Sequence, residues 1–540
     1  MADVSETRVL GIEGTAWAAS AAVFDAETDA VAIETEAYQP ESGGIHPREA
    51  AEHMAEHLPA VAERALATAR EWAEAGDEAD EPPVDAVAFS RGPGLGPCLR
   101  LAATTARSMA QRLDVPLVGV NHMVAHLEIG RHLSGFDDPV CLNASGANAH
   151  VLALRNGRYR VLGETMDTGV GNAIDKFTRH LGWSHPGGPK VEAAARDGKY
   201  VELPYVVKGM DFSFAGITSA AKEAVDDGIP VDDLCRGLQE TVFAMLTEVA
   251  ERALSLTDAD ELVLGGGVGQ NERLRGMLGE MCDGRGADFY APEARFLRDN
   301  AGMIAVLGAT MYEAGETVDV ADSAIDADFR PDQVRVTWRD EPARRRAGDS
   351  DATVQGAEAT VSFEGDSVVK ERRPRTYRHP ALDARLRRQR TRQEARLLSE
   401  ARRTGVPTPV IRDVDLRQGR LVLQRVGRAD LRDALDAGAV EALARHLATI
   451  HHAGFVHGDP TTRNARVDDG RVALLDFGLG YYTHDPEDHA MDLHVLAQSL
   501  DGTADDAEEL REVSVAAYRE VGDETVLDRL REIEGRGRYR

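Results

Sequence analysis

The sequence has few cysteines, almost no lysine and no long apolar run, and each scarcity excludes a class of protein. Its four cysteines lie far apart among 540 residues, with no Cys-x-x-Cys pair, which excludes a disulfide scaffold and a zinc ribbon. No apolar run approaches the about 18 residues that a membrane helix needs, and the first ten residues lack the apolar core of a signal peptide. We therefore expect a cytoplasmic protein with no membrane partner.

Lysine is scarce although the chain is strongly charged. Only six of its 62 basic residues are lysines, and 92 acidic residues give a net charge of −30. An acidic, lysine-poor composition suits a cytoplasm of high salt, where charge repulsion is screened, and indicates a halophilic archaeon. A GC-rich genome would give the same excess of arginine. Because the acidity can be an adaptation to salt, it does not exclude a nucleic-acid partner.

The chain divides into two units. Strand-like and helix-like segments alternate before residue 338, which is typical of an α/β fold with two similar lobes. Residues 338–351 (WRDEPARRRAGDSD) have no apolar periodicity and read as a linker. A short β region, an arginine-rich helix around residues 383–403 and further helices follow. The sequence thus predicts domains over residues 1–337 and 352–540.

Three glycine-rich turns follow strands in the first unit: Gly11–Ala16, Asn143–Ala147 and Gly265–Asn271. Glycine lets the backbone approach an anion, and the start of a following helix supplies free N–H donors. Any one of these segments could be an ordinary tight turn. Three in one α/β unit favour phosphate binding.

His122 and His126 lie four residues apart in NHMVAHLEIG. On a helix this spacing places both imidazoles on one face, as a pair of metal ligands requires. A solvated helix face would show the same spacing. A zinc protease would place its general base directly after the first histidine. Met123 occupies that position, which argues against a peptidase.

At this point several motifs point together to one family. In order, the chain contains GIEGTAW, NHMVAH, SGAN, DTGVGNAIDKFTRHLG, HPGGPKVE, KGMDFSFAG, GGGVGQNERLR and RDNAGMIA. The region from about Arg8 to Trp338 closely resembles the universal tRNA threonylcarbamoyl-transferase family. The resemblance implies a two-lobed unit of the actin-like ATPase superfold.

The resemblance also implies the site residues. His122, His126 and Asp299 should bind one metal ion, Fe(II) or alternatively Zn(II). Archaeal relatives usually add a tyrosine where this chain has Asn143, so Asn143 is an open candidate for a further ligand. The residues expected to hold threonylcarbamoyl-AMP are Asn143, Ala144, Ser145, Gly146, Ala147, Asp175, Gly188, Glu192 and Asn271.

The implied reaction is acyl transfer. The threonylcarbamoyl group passes from its mixed anhydride with AMP to the exocyclic amine of an adenosine. That adenosine lies 3′ of the anticodon in ANN-decoding tRNAs, in a loop whose bases can be splayed out. The sequence shows no strong candidate for a dedicated general base.

The second unit carries kinase motifs. HGDPTTRN places Asp459 and Asn464 five residues apart, as in a kinase catalytic loop, and LLDFGLG supplies Asp476. Upstream, Lys370 ends a strand-like run, and Glu394 lies in the arginine-rich helix. In this pattern Asp459 accepts the proton of the attacking hydroxyl, and Asn464 and Asp476 hold Mg²⁺. Lys370, paired with Glu394, contacts the phosphates of ATP.

The second unit differs from ordinary protein kinases in two ways, and these differences indicate a smaller kinase family. VQGAEATV has the single glycine Gly356, and only 64 residues follow Asp476, with no Ala-Pro-Glu motif. The unit resembles the small atypical serine/threonine kinase of the KEOPS complex, which works mainly as an ATPase beside the transferase. This resemblance implies other small KEOPS subunits as partners. The ATP-binding residues it implies are Gly356, Ala357, Glu358, Ala359, Lys370 and Glu394.

One segment is basic in this acidic chain. Residues 371–403 contain 12 arginines and four acids, and GRGRYR at 535–540 is a second basic element, expected to be flexible. Arginine suits contacts with phosphate, so we expect contact with tRNA. Intramolecular pairing with acids of the first unit is the alternative.

The main hypothesis is a fusion of the transferase with its partner kinase or ATPase. Three alternatives remain at this stage: a secreted-type metalloglycoprotease, a signalling kinase with an actin-like regulatory domain, and an RNA-binding scaffold. The absent signal peptide argues against the first, and the absent Ala-Pro-Glu motif argues against the second.

Overall fold

The first unit consists of two lobes with one repeated strand order. The computed structural model describes residues 7–38, 45–75, 82–340 and 353–536. In each lobe, three strands form an antiparallel meander whose first strand also pairs in parallel with a fourth, and the fourth pairs in parallel with a fifth. The α/β fold with two similar lobes predicted from the sequence is confirmed.

The first lobe has the sheet order β3-β2-β1-β4-β5. All residues of β1 and β2 are buried because helices cover the sheet. Its elements are β1 (Arg8–Glu13), β2 (Ala18–Asp25), β3 (Ala30–Ala37), α1 (Pro47–Ala75), β4 (Ala86–Gly92), α2 (Gly96–Leu113), β5 (Leu117–Asn121) and α3 (His122–Ser134).

The second lobe has the sheet order β12-β11-β6-β7-β8. Its strands and its hairpin are β6 (Val140–Ala144), β7 (Ala149–Arg155), β8 (Arg158–Glu164), β9 (Val207–Lys208), β10 (Asp211–Phe212), β11 (Glu261–Gly265) and β12 (Asp288–Tyr290). Its helices are α4 (Val170–His180), α5 (Gly188–Ala195), α6 (Ala215–Asp226), α7 (Val231–Thr257), α8 (Glu272–Arg285) and α9 (Ala294–Leu297); α10 (Ala301–Glu313) returns to the first sheet.

The glycine turn predicted over Gly11–Ala16 begins too early. Gly11 lies inside β1, not in a turn. A methyl group on Gly11 would lie 2.5 Å from the carbonyl oxygen of Ala301 at the start of α10. This glycine therefore allows close packing between a helix and a strand.

The second unit has a five-stranded antiparallel sheet of order β13-β14-β15-β17-β16, followed by a largely helical part. Its strands are β13 (Thr353–Gln355), β14 (Thr360–Glu364), β15 (Ser367–Glu371), β16 (Ile411–Asp415), β17 (Arg420–Gln424), β18 (Ala429–Asp430), β19 (Phe455–Val456), β20 (Ala465–Asp468), β21 (Arg471–Leu474) and β22 (Tyr481–Tyr482). Its helices are α11 (Pro380–Arg403), α12 (Ala437–His452), α13 (Pro486–Thr503), α14 (Ala507–Val521) and α15 (Glu524–Arg536).

The two predicted non-globular segments fall largely outside the described residues. Of the linker predicted at 338–351, only residues 338–340 are described. Trp338 packs against the core of the first unit, and Arg339 donates to the carbonyl oxygen of Asp137 at 2.9 Å. Of the tail at 535–540, Gly535 and Arg536 end α15. Among the described helices, none combines the length and apolarity that crossing a bilayer requires.

Helix α7 lies between the second sheet and the second unit, and it is buried over most of its length. Its buried acids face arginines of the second unit. Glu248 accepts from Arg378 at 2.6 Å and from Arg390 at 2.9 Å, and Glu251 lies 3.2 Å from Arg375. The two units therefore share an interface of buried ion pairs.

Candidate active sites

The predicted metal ligands converge at the start of α3. Asn121 caps this helix by accepting from the backbone N–H groups of Met123 and Val124. The Nε2 atoms of His122 and His126 lie 3.3 and 3.2 Å from Oδ1 of Asp299. One ligand atom from each of these three residues lies within 4.8 Å of the others. The structure thus brings together the histidine pair and a carboxylate 173 residues further along the chain.

Glu13, at the end of β1, contacts the ring nitrogen of His122 that faces away from Asp299. It is fully buried, and its Oε2 lies 3.1 Å from Nδ1 of His122. A carboxylate behind a ligating imidazole fixes its tautomer and orientation. Burial lowers the pKa of His122, but the carboxylates of Glu13 and Asp299 outweigh burial and raise it to about 10. The pKa of Asp299 is lowered, since the two imidazoles outweigh its burial.

The side chains around the cluster fit a metal ion. His126 Nδ1 and Asn143 Oδ1 are buried polar atoms without a hydrogen-bond partner among the described residues. Such orphaned atoms are rare in a folded interior unless a ligand or water meets them. Asn143 is 1% exposed, and its Nδ2 lies 3.7 Å from the sulfur of Met123. Two imidazoles and one carboxylate are a donor set that suits Fe(II) or Zn(II).

The residues expected to hold the acyl-adenylate lie on adjoining elements of the second lobe. Asn143 and Ala144 end β6, and the turn that follows contacts the start of α4. There the N–H groups of Gly171 and Asn172 donate to the carbonyl oxygens of Ser145 and Gly146 at 3.2 and 2.9 Å. Ala147 lies against Gly169, immediately before α4.

The remaining four residues of this set are linked through α5. Asp175 on α4 accepts from the N–H of Gly187, the residue before Gly188, at 2.8 Å. Glu192 accepts at 3.0 Å from the N–H of Glu272, next to Asn271. Asn271 caps α8, so its side-chain Oδ1 accepts from the backbone N–H groups of Arg273 and Leu274. Space is open beside Gly188, where an added methyl group would meet no atom within 4 Å.

In the second unit, the predicted lysine–glutamate pair is formed. Lys370 Nζ lies 2.8 Å from Glu394 and 2.7 Å from Asp476. Arg372 approaches the same two carboxylates, at 2.7 and 3.4 Å. Burial raises the pKa of Asp476, but Lys370 and Arg372 outweigh it and lower this pKa. An ionised Asp476 is the form that binds Mg²⁺.

Asp459 and Asn464 also meet. Asn464 Nδ2 donates to the carbonyl oxygen of Asp459 at 2.8 Å and to its Oδ2 at 2.9 Å. The other oxygen, Oδ1, is buried without a partner among the described residues. Burial raises the pKa of Asp459 to about 6, a value suited to a group that accepts a proton.

These residues line a cavity of 280 Å³, together with Gly356, Ala357, Glu358 and Ala359 of the nucleotide loop. Residues of the first unit line the same cavity, among them Met210 and Arg252. The β9–β10 hairpin reaches the catalytic loop, where the N–H of Gly209 donates to Gly458 at 2.9 Å. Arg252 bonds to the carbonyl oxygen of Gly209 at 2.7 Å and to the carboxylates of Glu248 and Glu358.

The sequence analysis missed three residues that position these sites. The signal for Glu13 was an acid directly after the apolar run VLGI in the strand RVLGIE. Asp492 on α13 accepts from the N–H groups of His457 and Gly458 at 2.7 and 2.8 Å, which holds the catalytic loop. Arg252 lies on α7, and no local motif marks it.

Eight of the twelve arginines in the basic segment are paired within the molecule. Arg373 and Arg403 make exposed pairs with Glu371 and Glu400. The six less exposed ones, with their nearest carboxylates, are Arg372 with Glu394, Arg375 with Glu251, Arg378 and Arg390 with Glu248, Arg385 with Glu202, and Arg387 with Asp383. For these six, the structure shows pairing inside the molecule, and contact of residues 371–403 with RNA stays a prediction. Four of them pair with acids of the first unit, as the alternative required.

Comparison with known proteins gives the family. A model described as tRNA N6-adenosine threonylcarbamoyltransferase matches residues 28–306, more than half of the chain. The chain belongs to this family. A second model, the phosphotransferase enzyme family, matches residues 344–533. A transferase unit followed by a kinase-like phosphotransferase unit, as predicted, is confirmed.

Several relatives match along 98% or more of their length. A protein of Haloarcula marismortui is 68% identical over 98% of this chain and 100% of its own length, and one of Halobacterium salinarum is 69% identical over 98% of each chain. A Methanospirillum hungatei protein is 49% identical over 98% of this chain and 99% of its own length. All three are named "Probable bifunctional tRNA threonylcarbamoyladenosine biosynthesis protein".

Proposed function

We propose that the first unit transfers the threonylcarbamoyl group from threonylcarbamoyl-AMP to the exocyclic amine of the adenosine 3′ of the anticodon in ANN-decoding tRNAs. The observation that carries this proposal is the buried cluster of His122, His126 and Asp299 with Glu13 behind it. A cluster of this composition, in a chain of this family, is a place to bind and activate an acyl donor.

The reaction balances without a further reactant. The amine nitrogen attacks the carbamoyl carbon, a C–N bond forms, the C–O bond to the phosphate breaks, and AMP leaves. The proton lost by the amine passes to solvent. The turn Ser145–Ala147 and the start of α5 at Gly188 offer backbone N–H groups to the phosphate, and Asp175 and Glu192 offer acceptors to hydroxyl groups.

We propose Fe(II), with Zn(II) as the alternative, as the ion held by His122, His126 and Asp299. When bound, such an ion supplies Lewis-acid polarisation of the carbamoyl oxygen or the phosphate. Glu13 orients the His122 ring, and Asn143 lies beside the cluster as the candidate for a further contact.

We propose that the second unit hydrolyses ATP with Mg²⁺ in support of the same modification. Lys370 contacts the phosphates, Asn464 and Asp476 hold the metal, and Asp459 accepts a proton from the attacking water. The β9–β10 hairpin of the first unit packs against the catalytic loop, where Gly209 contacts Gly458 next to Asp459. Because this contact occupies space beside Asp459, it supports water rather than a protein side chain as the group that receives the phosphate.

We also propose that the protein works in the cytoplasm with other small KEOPS subunits, and that its domains are 1–337 and 352–540.

The test is to incubate the purified chain in high salt with threonylcarbamoyl-AMP, ATP, the small subunits and an unmodified ANN-decoding tRNA, and to measure nucleosides by mass spectrometry. We expect threonylcarbamoyladenosine from the unaltered chain and none from His126→Ala, because the variant lacks one of three metal ligands.

His132→Ala is the matched control. His132 lies on the same helix, about one third of its side chain is exposed, and it pairs with Asp29 away from the cluster. The control should keep full activity. Product formation that survives His126→Ala would contradict the assignment of the metal site.

A further inference from the structure

The arginine-rich helix α11 carries a second set of arginines that the ion pairs described above do not use. Arg388, Arg392 and Arg396 are exposed. Within residues 7–38, 45–75, 82–340 and 353–536, none of these three has a carboxylate at ion-pair distance. The same helix therefore buries its inner arginines against acids and leaves its outer arginines uncompensated.

The spacing makes this arrangement unfavourable for the helix alone. Residues four apart are neighbours on one side of a helix, and like charges at this spacing destabilise it. The chain has 92 acidic residues and a net charge of −30, yet the acid one turn beyond the row, Glu400, pairs with Arg403 at 3.2 Å and not with Arg396. An uncompensated row of guanidinium groups in such a chain points to an anionic ligand.

The row borders a groove of 560 Å³ between α11, β16 and β22. The only carboxylate in its lining is that of Glu400, which pairs with Arg403 at 3.2 Å. The principal side chains of the groove are Arg392, Arg396 and Arg403 on α11 and Ile411, Val414, Leu416 and Tyr482 on the other side.

Tyr482 distinguishes among anionic ligands. Its side chain is 57% exposed, while its backbone is held by pairing with Phe455 between β19 and β22. A fixed, exposed aromatic ring beside a row of arginines suits unpaired nucleotides, because a base stacks on the ring and the phosphates meet the guanidinium groups. Paired bases do not offer their faces to such a ring.

We propose that the groove lined by Arg392, Arg396 and Tyr482, with Arg388 one turn further along α11, binds an unpaired segment of the tRNA substrate. This inference rests on the proposed tRNA-modifying function and adds a surface on the second unit that holds the RNA. The row from Arg388 to Arg396 spans about 12 Å along α11, the length of a short run of nucleotides.

The experiment measures the affinity of the full chain for an unmodified ANN-decoding tRNA transcript at increasing KCl, over the range in which ATP hydrolysis shows that the protein is folded. In the triple variant Arg388→Gln, Arg392→Gln, Arg396→Gln, we expect the slope of log affinity against log salt to become shallower by about 2 to 3. Each lost phosphate contact removes about 0.7 to 0.9 from this slope.

The matched control is Arg445→Gln, Arg519→Gln, Arg531→Gln, which makes the same change in net charge. These arginines lie on α12, α14 and α15, are partly exposed and are paired with glutamates. We expect this control to keep the slope. Tyr482→Ala should weaken binding about fivefold to hundredfold without changing the slope, and Tyr482→Phe should restore it.

A slope that stays the same in the Arg388/Arg392/Arg396 variant would overturn the proposal and leave the groove to an acidic protein partner. If this variant keeps the slope while the unaltered chain still forms threonylcarbamoyladenosine, only this inference fails. If the unaltered chain neither binds the tRNA nor modifies it, the proposed function fails with it.

Discussion

The metal cluster draws its side chains from the first unit alone, whereas the phosphotransfer cavity is lined by both units. His122, His126 and Glu13 meet within the first unit through β1 and α3. In the cavity around Asp459, by contrast, Arg252 of α7 lies on the wall beside the nucleotide loop. The first site is therefore complete without its neighbour, and the second is not.

This difference indicates the direction of dependence between the units. Buried charges need partners, because an unpaired charge in a protein interior is strongly unfavourable. Glu358 of the nucleotide loop has Arg252 as one of its partners, and the other partners are arginines of its own unit. The geometry of the nucleotide loop thus depends on the transferase unit, and variants can test this dependence from either side.

The largest expected effect is on the proton acceptor of the second site. Asp459→Asn keeps the shape of the side chain but removes its basicity, so we expect ATP hydrolysis to fall about 10²- to 10⁴-fold. The measurement is steady-state release of phosphate. Metal binding in the first unit should not change, and a loss of metal in this variant would contradict the independence of the first site.

The next effect tests the support of the metal cluster. Glu13→Gln removes the charge behind His122, so we expect metal affinity to fall about 10- to 100-fold while ATP hydrolysis is unchanged. Titration with Fe(II) or Zn(II) measures this loss. Glu27→Gln, at an exposed position after β2, is the matched control. Equal metal affinities in the two variants would contradict the role of Glu13 in the metal site.

Arg252→Met tests the composite cavity. Glu248 and Glu358 each keep other arginine partners in this variant. We therefore expect the free energy of unfolding to fall by about 3 kcal/mol, a small value for the loss of one partner of a buried ion pair. ATP hydrolysis should fall about tenfold because the nucleotide loop loses an anchor. Arg529→Met, on the exposed face of α15, is the control for denaturant unfolding and activity. Full hydrolysis by Arg252→Met would show that the second unit needs no contribution from the first.

The smallest effect is a pH dependence confined to the second site. Asp459 has its pKa raised to about 6, and the proton acceptor must be ionised to act. Hydrolysis should therefore be near its maximum above pH 7, about half-maximal near pH 6, and lower still in more acidic solution. A pH–rate profile of hydrolysis measures this step. A profile flat between pH 5 and 8 would contradict the role of Asp459.

The features that could be predicted from the sequence are those whose residues lie close together in the chain. The histidine pair on α3 and the motif around Asp459 are local patterns, and the structure forms both as predicted. The contact of Glu13 with His122 joins residues 109 positions apart, and that of Arg252 with Glu358 joins residues 106 apart. No periodicity or spacing encodes such pairs, because tertiary packing creates them.

The arginine-rich helix shows the same limit within one element. Its charge and approximate bounds could be read from the sequence, but its partners could not. Arg390 and Arg392 are two positions apart, yet one is buried on Glu248 and the other is exposed. Only the position of α7 against α11 decides which arginines are neutralised.

The contact of the β9–β10 hairpin with the second unit has a consequence for how the two halves can evolve. Gly209 has a φ of +58°, and a methyl group there would lie 2.2 Å from Cγ2 of Val495 on α13. A larger residue at position 209 would fit only if a smaller side chain replaced Val495 on α13. Because one gene encodes both positions, they are inherited together, and a half acquired from another lineage would have to match this surface before the two could work as one protein.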